Sequence, residues 1–266
     1  MLLDNQIDPA PHSAAALETF SIPANDHGIP PEELARRRDL RDLRVVTIDP
    51  ATAKDLDDAL HVRRLPNGAL EVGVHIADVA FYVRPGTALD QEAQSRATTT
   101  YLVLPIQISV PSCSTLACTC PAHRVNHPDT ISVAFAGQMD RCLPMLPHVL
   151  SETLCSLNPL VDRLAFSVVW ELDDEGEELA RWFGRTVIRS KCRLDYDTAQ
   201  RVIDAAACGE EQYEFPSVYR PAEGVTEEEV VSDLLLLHSL AKNIRARRFE
   251  GGSVTINQIK VQPCQS

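Results

Sequence analysis

Thr47-Ile48-Asp49-Pro50-Ala51-Thr52-Ala53-Lys54-Asp55-Leu56-Asp57-Asp58-Ala59-Leu60 sets four carboxylates, those of Asp49, Asp55, Asp57 and Asp58, within ten residues, directly after an apolar strand signal over Arg44–Ile48. Like charges packed this closely repel one another. A folded chain carries them at a cost unless a cation or a basic partner neutralises them. Oxygen-only ligands suit hard ions, Mg2+ or Mn2+, and not Zn2+. A carboxylate-held metal in front of a phosphate favours in-line attack by a bound water. Two plainer readings compete. An EF-hand calcium loop needs a D-x-[DN]-x-[DN]-G spacing with Glu at position 12, which this run lacks. A solvated acidic turn is compatible with the spacing.

Outward from this run, the chain alternates strand and helix signals. Ala59–Arg64 and Ala69–Ile76 alternate apolar and polar residues around Pro66-Asn67-Gly68, which predicts a hairpin. Leu164–Leu172 and Leu179–Ser190 read as a second pair of strands around Asp173-Asp174-Glu175-Gly176. Helical character is expected over Leu89–Thr99, Asp195–Ala207 and a long segment opening at Thr226, where Glu229 completes a capping box, and closing at Gly251-Gly252. A helix start is expected at Pro30-Pro31. Residues 208–225 read as a polar loop and Ser253–Val261 as a strand. The pattern predicts an α+β fold, a mixed sheet with packed helices.

Composition narrows the classes. A net charge of −13 argues against a generic basic nucleic-acid binder; it does not argue against a nuclease, since those that hold divalent ions concentrate carboxylates at the site. Arg36, Arg37, Arg38, Arg41 and Arg44 stand out in this acidic chain, either as a solvated helix face or as phosphate contacts. Met1–Pro11 carries acids and no apolar run of the secretory kind, and no stretch reaches membrane-spanning length. The 8 unevenly spaced cysteines fit free thiols in a reducing compartment. His75, alone in an apolar strand, reads as structural, and Asp78 beside it is not assigned to catalysis.

The acidic run resembles the signature of the ribonuclease II/R (RNB) exoribonucleases. The resemblance continues through GVHIADVAFYV (Gly73 to Val83), PGTALDQEAQSRATTTYL (Pro85 to Leu102), LPMLPHVLSETLCSLNP (Leu143 to Pro159), DRLAFSV (Asp162 to Val168) and WFGRTVIRS (Trp182 to Ser190). It extends over about Ile29 to Lys260. IPPEE (Ile29 to Glu33), RATTTYLV (Arg96 to Val103) and LAKNIRARRFEGGSV (Leu240 to Val254) look most like the cytoplasmic, exosome-independent eukaryotic branch, which degrades 3′-oligouridylated RNA. The resemblance implies a 3′–5′ exoribonuclease that hydrolyses single-stranded RNA to nucleoside 5′-monophosphates with carboxylate-held Mg2+, or Mn2+, in cytoplasmic mRNA decay. No obligate protein partner is implied. Asp49 and Asp58 match the family's metal ligands. Asp57 matches the carboxylate whose loss stops cleavage but not binding, and Asp55 completes the acidic set. Tyr101 matches an aromatic that stacks on a base near the 3′ end. The four carboxylates are expected to converge on one point. A catalytically inactive RNB-type fragment that only binds RNA or a protein is the alternative, although all four acids are present.

Two stretches depart from the family. Residues 104–139 separate the tyrosine segment from the PMLP segment and are rich in Pro, Ser, Thr, Cys and Ala, which suggests intronic sequence retained in frame and an unpacked insert. Cys113, Cys118, Cys120, His123 and His127 within it match no common zinc module. After Lys260 the resemblance ends, so the reading is an irregular lead-in over 1–31, like the tail of a cold-shock-type domain, followed by a partial catalytic domain over 32–266, incomplete at its C-terminus.

Overall fold

The computed structural model describes residues 8–20, 29–103, 139–209 and 215–254. The chain divides into two compact units, one of residues 10–97 and 146–254, the other of residues 1–9, 98–145 and 255–266. Within the second, strands β5 (Thr100–Val103) and β6 (Met139–Leu143) pair antiparallel, with Tyr101 opposite Cys142. Residues 104–138 of the insert lie outside the described residues, as does most of the strand expected over Ser253–Val261, and Met139 opens β6.

The first unit holds short helices α1 (Ala14–Leu17), α2 (Pro31–Arg36), α3 (Val79–Tyr82) and α4 (Ala88–Arg96), and the longer α5 (Tyr196–Ala207) and α6 (Glu227–Glu250). Its strands are β1 (Arg38–Asp39), β2 (Val45–Asp49), β3 (Asp58–Arg64), β4 (Leu70–Ala77), β7 (Asp162–Leu172) and β8 (Glu178–Asp195). The order is β1-β8-β2-β3-β4-β7, and β7 also pairs with β8, so five strands close into a ring. The sheet is mixed: β8 runs antiparallel to β7 but parallel to β1 and β2. This is the α+β architecture that the alternation of signals predicts.

Local chemistry accounts for most boundaries. Gly68 at φ 88 and Gly176 at φ 80 turn the β3–β4 and β7–β8 hairpins in the left-handed region open to glycine. The Thr226 capping box is present, and Glu227, Glu228 and Glu229 occupy the positive end of α6. At the other end Gly252 N–H donates to Phe249 O and Ser253 N–H to Arg248 O, the paired bonds of a Schellman stop. Helix α4 ends sooner than expected because Ala97 takes a left-handed φ of 61. Strand β8 runs past Ser190 to Asp195 because its second half has a new partner, β2. Residues 10–20, read as lead-in, pack on α4: Glu92 accepts from Ser13 Oγ at 2.8 Å and meets His12 Nδ1 at 2.7 Å.

One face of the ring carries α6. Leu236, Leu237, Leu240 and Ile244 lie against Val62, Leu70, Val72 and Leu172, while Val230, Val231 and Leu234 meet Val46, Leu194 and α5. On the other face Val45, Ala59, Ala77, Ala165 and Ile188 pack with Ala16, Leu89, Leu150 and Leu154. Each fully buried aliphatic side chain contributes about 1.5–3 kcal/mol. The same face buries a polar chain across four strands. His61 Nδ1 meets His75 Nε2 at 2.8 Å, His75 Nδ1 meets Ser167 Oγ at 2.7 Å, and Ser167 Oγ meets Thr186 Oγ1 at 2.6 Å. His75 is thus structural, as its strand position implies.

The arginine cluster is not a solvated helix face: Arg37, Arg38, Arg41 and Arg44 engage partners within the chain. Helix α2 stops at Arg36, and Arg37 turns inward. Arg37 Nη2 lies 2.7 Å from Asp78 Oδ2 without the angle of a hydrogen bond, so the two form a buried ion pair. Arg41 spans Asp39 and Asp162, and Arg44 forks onto Asp233 while reaching Glu229. Arg38 lies over the Trp182 ring at 4.7 Å. Arg36 keeps a mostly exposed side chain. Carboxylates brought in from elsewhere engage Arg37, Arg41 and Arg44.

Two measurements test this interior. A Cβ on Gly73 would stand 2.1 Å from His61 Cε1 and 2.3 Å from Nδ1. Gly73→Ala should therefore cost about 1–3 kcal/mol in urea unfolding, as overpacking does; a neutral result would show that the His61 ring moves freely. Burial, and then the neighbouring His61, push the His75 imidazole down to about 3. Its NMR resonances should stay those of a neutral ring on titration to pH 5.

Candidate active site

The loop between β2 and β3 gathers the four acids. Asp49 closes β2 and is buried, on the same sheet face as Val45 and Thr47; Asp58 opens β3 and points to solvent from the opposite face. Between them Pro50 lacks a donor, and the backbone bond within the loop runs from Ala53 N–H to Pro50 O. The rest of the loop depends on neighbours. Ser156 Oγ accepts from Leu56 N–H at 3.0 Å and lies 3.1 Å from Lys54 O, to which it donates. Leu157 N–H donates to Leu56 O, and Ala77 N–H to Asp57 O. Leu56 is fully buried and anchors the segment. From β8, Arg193 Nη2 donates to Ala53 O at 2.7 Å and reaches Ala51 O at 3.4 Å.

The electrostatics follow from this packing. Burial, then the charge of Asp58, with smaller contributions from Asp57 and Asp55, raises the Asp49 carboxyl to about 6, against a partial offset from Arg193. Burial raises Asp57 as well, helped by Asp55 and Asp58. Asp49 Oδ2 is buried without a hydrogen-bond partner among the described residues. A buried oxygen of this kind costs free energy unless something positive meets it. The four acids therefore share one electrostatic field. They do not, however, meet at one point: among the described residues no three His, Cys, Asp or Glu side chains form a group that could hold a metal as they stand. Repelling carboxylates do not pack oxygen to oxygen without a cation between them.

Tyr101 belongs to the other unit, in β5, and is 49% exposed. Ser156 and Arg193 are the site residues that sequence reasoning missed. Neither lies in an acidic or aromatic motif, and each reaches the loop from one hundred or more positions away. Asp78, set aside from catalysis, is occupied by Arg37.

Comparison with known proteins places this geometry. The sequence matches the RNB domain over residues 37–108 and 132–265, and the chain belongs to the RNB family. The unmatched stretch falls inside the segment that departs in composition. Over 264 residues the chain is 41% identical to the DIS3-like exonuclease 2 of Schizosaccharomyces pombe, covering 98% of this chain and 24% of that protein. A protein named inactive exonuclease DIS3L2 from Arabidopsis thaliana is 38% identical over 260 residues, 98% of this chain and 21% of its own length. The chain thus spans about a quarter of these relatives. Among solved structures, Mycoplasma genitalium RNase R in complex with ribose methylated single-stranded RNA superposes with a TM-score of 0.67 at 25% identity, over 97% of this chain and 32% of that one.

Asp49 supplies a test of the electrostatics that involves no ligand. Its charged form is disfavoured in the fold, so stability present below 3.8 is lost as the pH rises through about 6. Asp49→Asn should stabilise the protein in metal-free buffer at pH 7.5 by about 1–2 kcal/mol, with the gain vanishing near pH 4. Urea denaturation at the two pH values measures it. Equal stability of both proteins at pH 7.5 would mean that Asp49 is not held at a cost.

Proposed function

We propose that this chain carries the acidic metal-binding loop of a 3′–5′ exoribonuclease that hydrolyses single-stranded RNA to nucleoside 5′-monophosphates, in cytoplasmic RNA decay. The supporting observation is the buried, unpartnered Asp49 Oδ2 within the field of three further carboxylates. That donor set is all oxygen and fits a hard divalent ion, Mg2+ or Mn2+. Asp49 and Asp58 would hold it, and when bound it supplies Lewis-acid polarisation of the phosphate and acidifies a water. Asp57, with its carboxyl raised by burial, would accept a proton from an attacking water. Asp55 adds negative charge that favours the cation. The exposed ring of Tyr101 offers a face for a base near the 3′ end, an interaction tolerant of sequence.

The second reading is an RNB-type chain that binds RNA without cleaving it, favoured by the relative named inactive. The four acids favour the first. The test has two arms. Calorimetric titration of the 266-residue chain should show Mn2+ binding that weakens by about tenfold or more, on the order of 1.4 kcal/mol, in Asp49→Asn. With Mg2+ and 3′-labelled RNA the chain should release mononucleotides. Asp57→Asn should abolish this release while RNA is still retained. A chain that binds no Mn2+ overturns the metal reading; RNA retention with no mononucleotide from the unmutated protein supports the second.

A further inference from the structure

We propose that Arg193 is a positioning residue that clamps the acidic loop between Asp49 and Asp55. The loop from Pro50 to Asp57 is held by two side chains from distant elements. Ser156 fixes Lys54 and Leu56, the stretch on the β3 side. Arg193 fixes Ala51 and Ala53, the stretch on the β2 side, by presenting one guanidinium nitrogen to both carbonyls. Asp55 lies just beyond the segment that Arg193 holds, and Asp49 just before it. Arg193 can do this because β8 continues past Ser190 beside β2, with Thr47 opposite Arg193 and Asp49 opposite Asp195. The parallel register sets Arg193 level with Thr47, two residues before Asp49, and on the same face as both.

A cation beside a metal site has two opposite effects. Its charge repels an incoming ion, and its hydrogen bonds order the ligands that receive the ion. The geometry favours ordering: the shorter contact, 2.7 Å, is to a backbone carbonyl and not to a carboxylate. Lysine keeps the charge on a shorter side chain and lacks the fixed, planar donors of the guanidinium. Glutamine removes the charge and keeps a short donor. The two substitutions therefore separate charge from clamp.

This inference rests on the metal-binding reading above, but its test has an arm independent of it. In metal-free protein, amide hydrogen exchange at Ala53 should quicken by about tenfold in both Arg193→Lys and Arg193→Gln, while the amides of β3 are unchanged. Mn2+ affinity, read by titration, should fall by about tenfold in both variants. If exchange at Ala53 is unchanged in both, the clamp is wrong. If Arg193→Gln binds Mn2+ more tightly than the unmutated chain, Arg193 acts as a repelling charge and the proposal is overturned. If the unmutated chain binds no Mn2+, the metal reading fails, and faster exchange still supports the clamp. Should Arg193→Gln fail to fold by circular dichroism, Arg193→Lys decides both arms.

Discussion

A strand that changes partner halfway along its length holds this molecule together. The first part of β8 runs antiparallel to β7; beyond Ser190 it runs parallel to β2. Strand β2 meets β3 at Val46 and Leu60, whereas Val45 through Asp49 all face residues of β8. Without the second half of β8 the ring would open, and β2 would lose most of its support. The placement of Asp49 follows from that pairing. Its neighbour in register, Asp195, is fixed in turn as the cap of α5, accepting from Thr198 N–H.

The fold spends stability where the acids gather and recovers it in the surrounding core. Asp49 and Asp57 are carboxylates whose charge the interior resists. Around them Leu56, Leu150, Leu157 and Ile188 are fully buried, and Ser156 and Arg193 supply backbone bonds that the Pro50–Asp57 segment cannot make for itself. Such local expense, kept in place by a rigid frame, is common where charge must later be met by something outside the chain.

Features set by near neighbours were legible in the sequence. Alternation over Ala59–Arg64 and Leu164–Leu172, the Asn67-Gly68 turn, the Thr226–Glu229 box and the Gly251-Gly252 stop each depend on residues a few positions apart, and each has its counterpart in the structure. The density of acids between Asp49 and Asp58 also marked the site directly. What was hidden depends on distant segments. Nothing near Lys191 announces that a strand should persist, since the reason is β2. The arginines from Arg36 to Arg44 look alike in sequence, and only Asp78, Asp162 and Asp233, brought in from elsewhere, distinguish them. Ser156 gives no local sign that it holds Leu56.

The buried chain through the two histidines has a direction. Although burial raises the Glu71 carboxyl, the hydrogen bond and charge of Arg63 bring it below its usual range, so it can only accept. His61, kept neutral chiefly by burial, must then place its one proton on Nε2, facing Glu71 at 3.3 Å. Its bare Nδ1 obliges His75 to carry a proton on Nε2, which leaves His75 Nδ1 to accept from Ser167, while the one Thr186 proton is shared between Ser167 Oγ at 2.6 Å and Ala165 O at 3.3 Å. One buried charge near the start of β4 thereby dictates the tautomer of two rings and the orientation of the Ser167 hydroxyl across the sheet. The interior has one proton arrangement, and reversing any link would set two lone pairs, or two hydrogens, against each other.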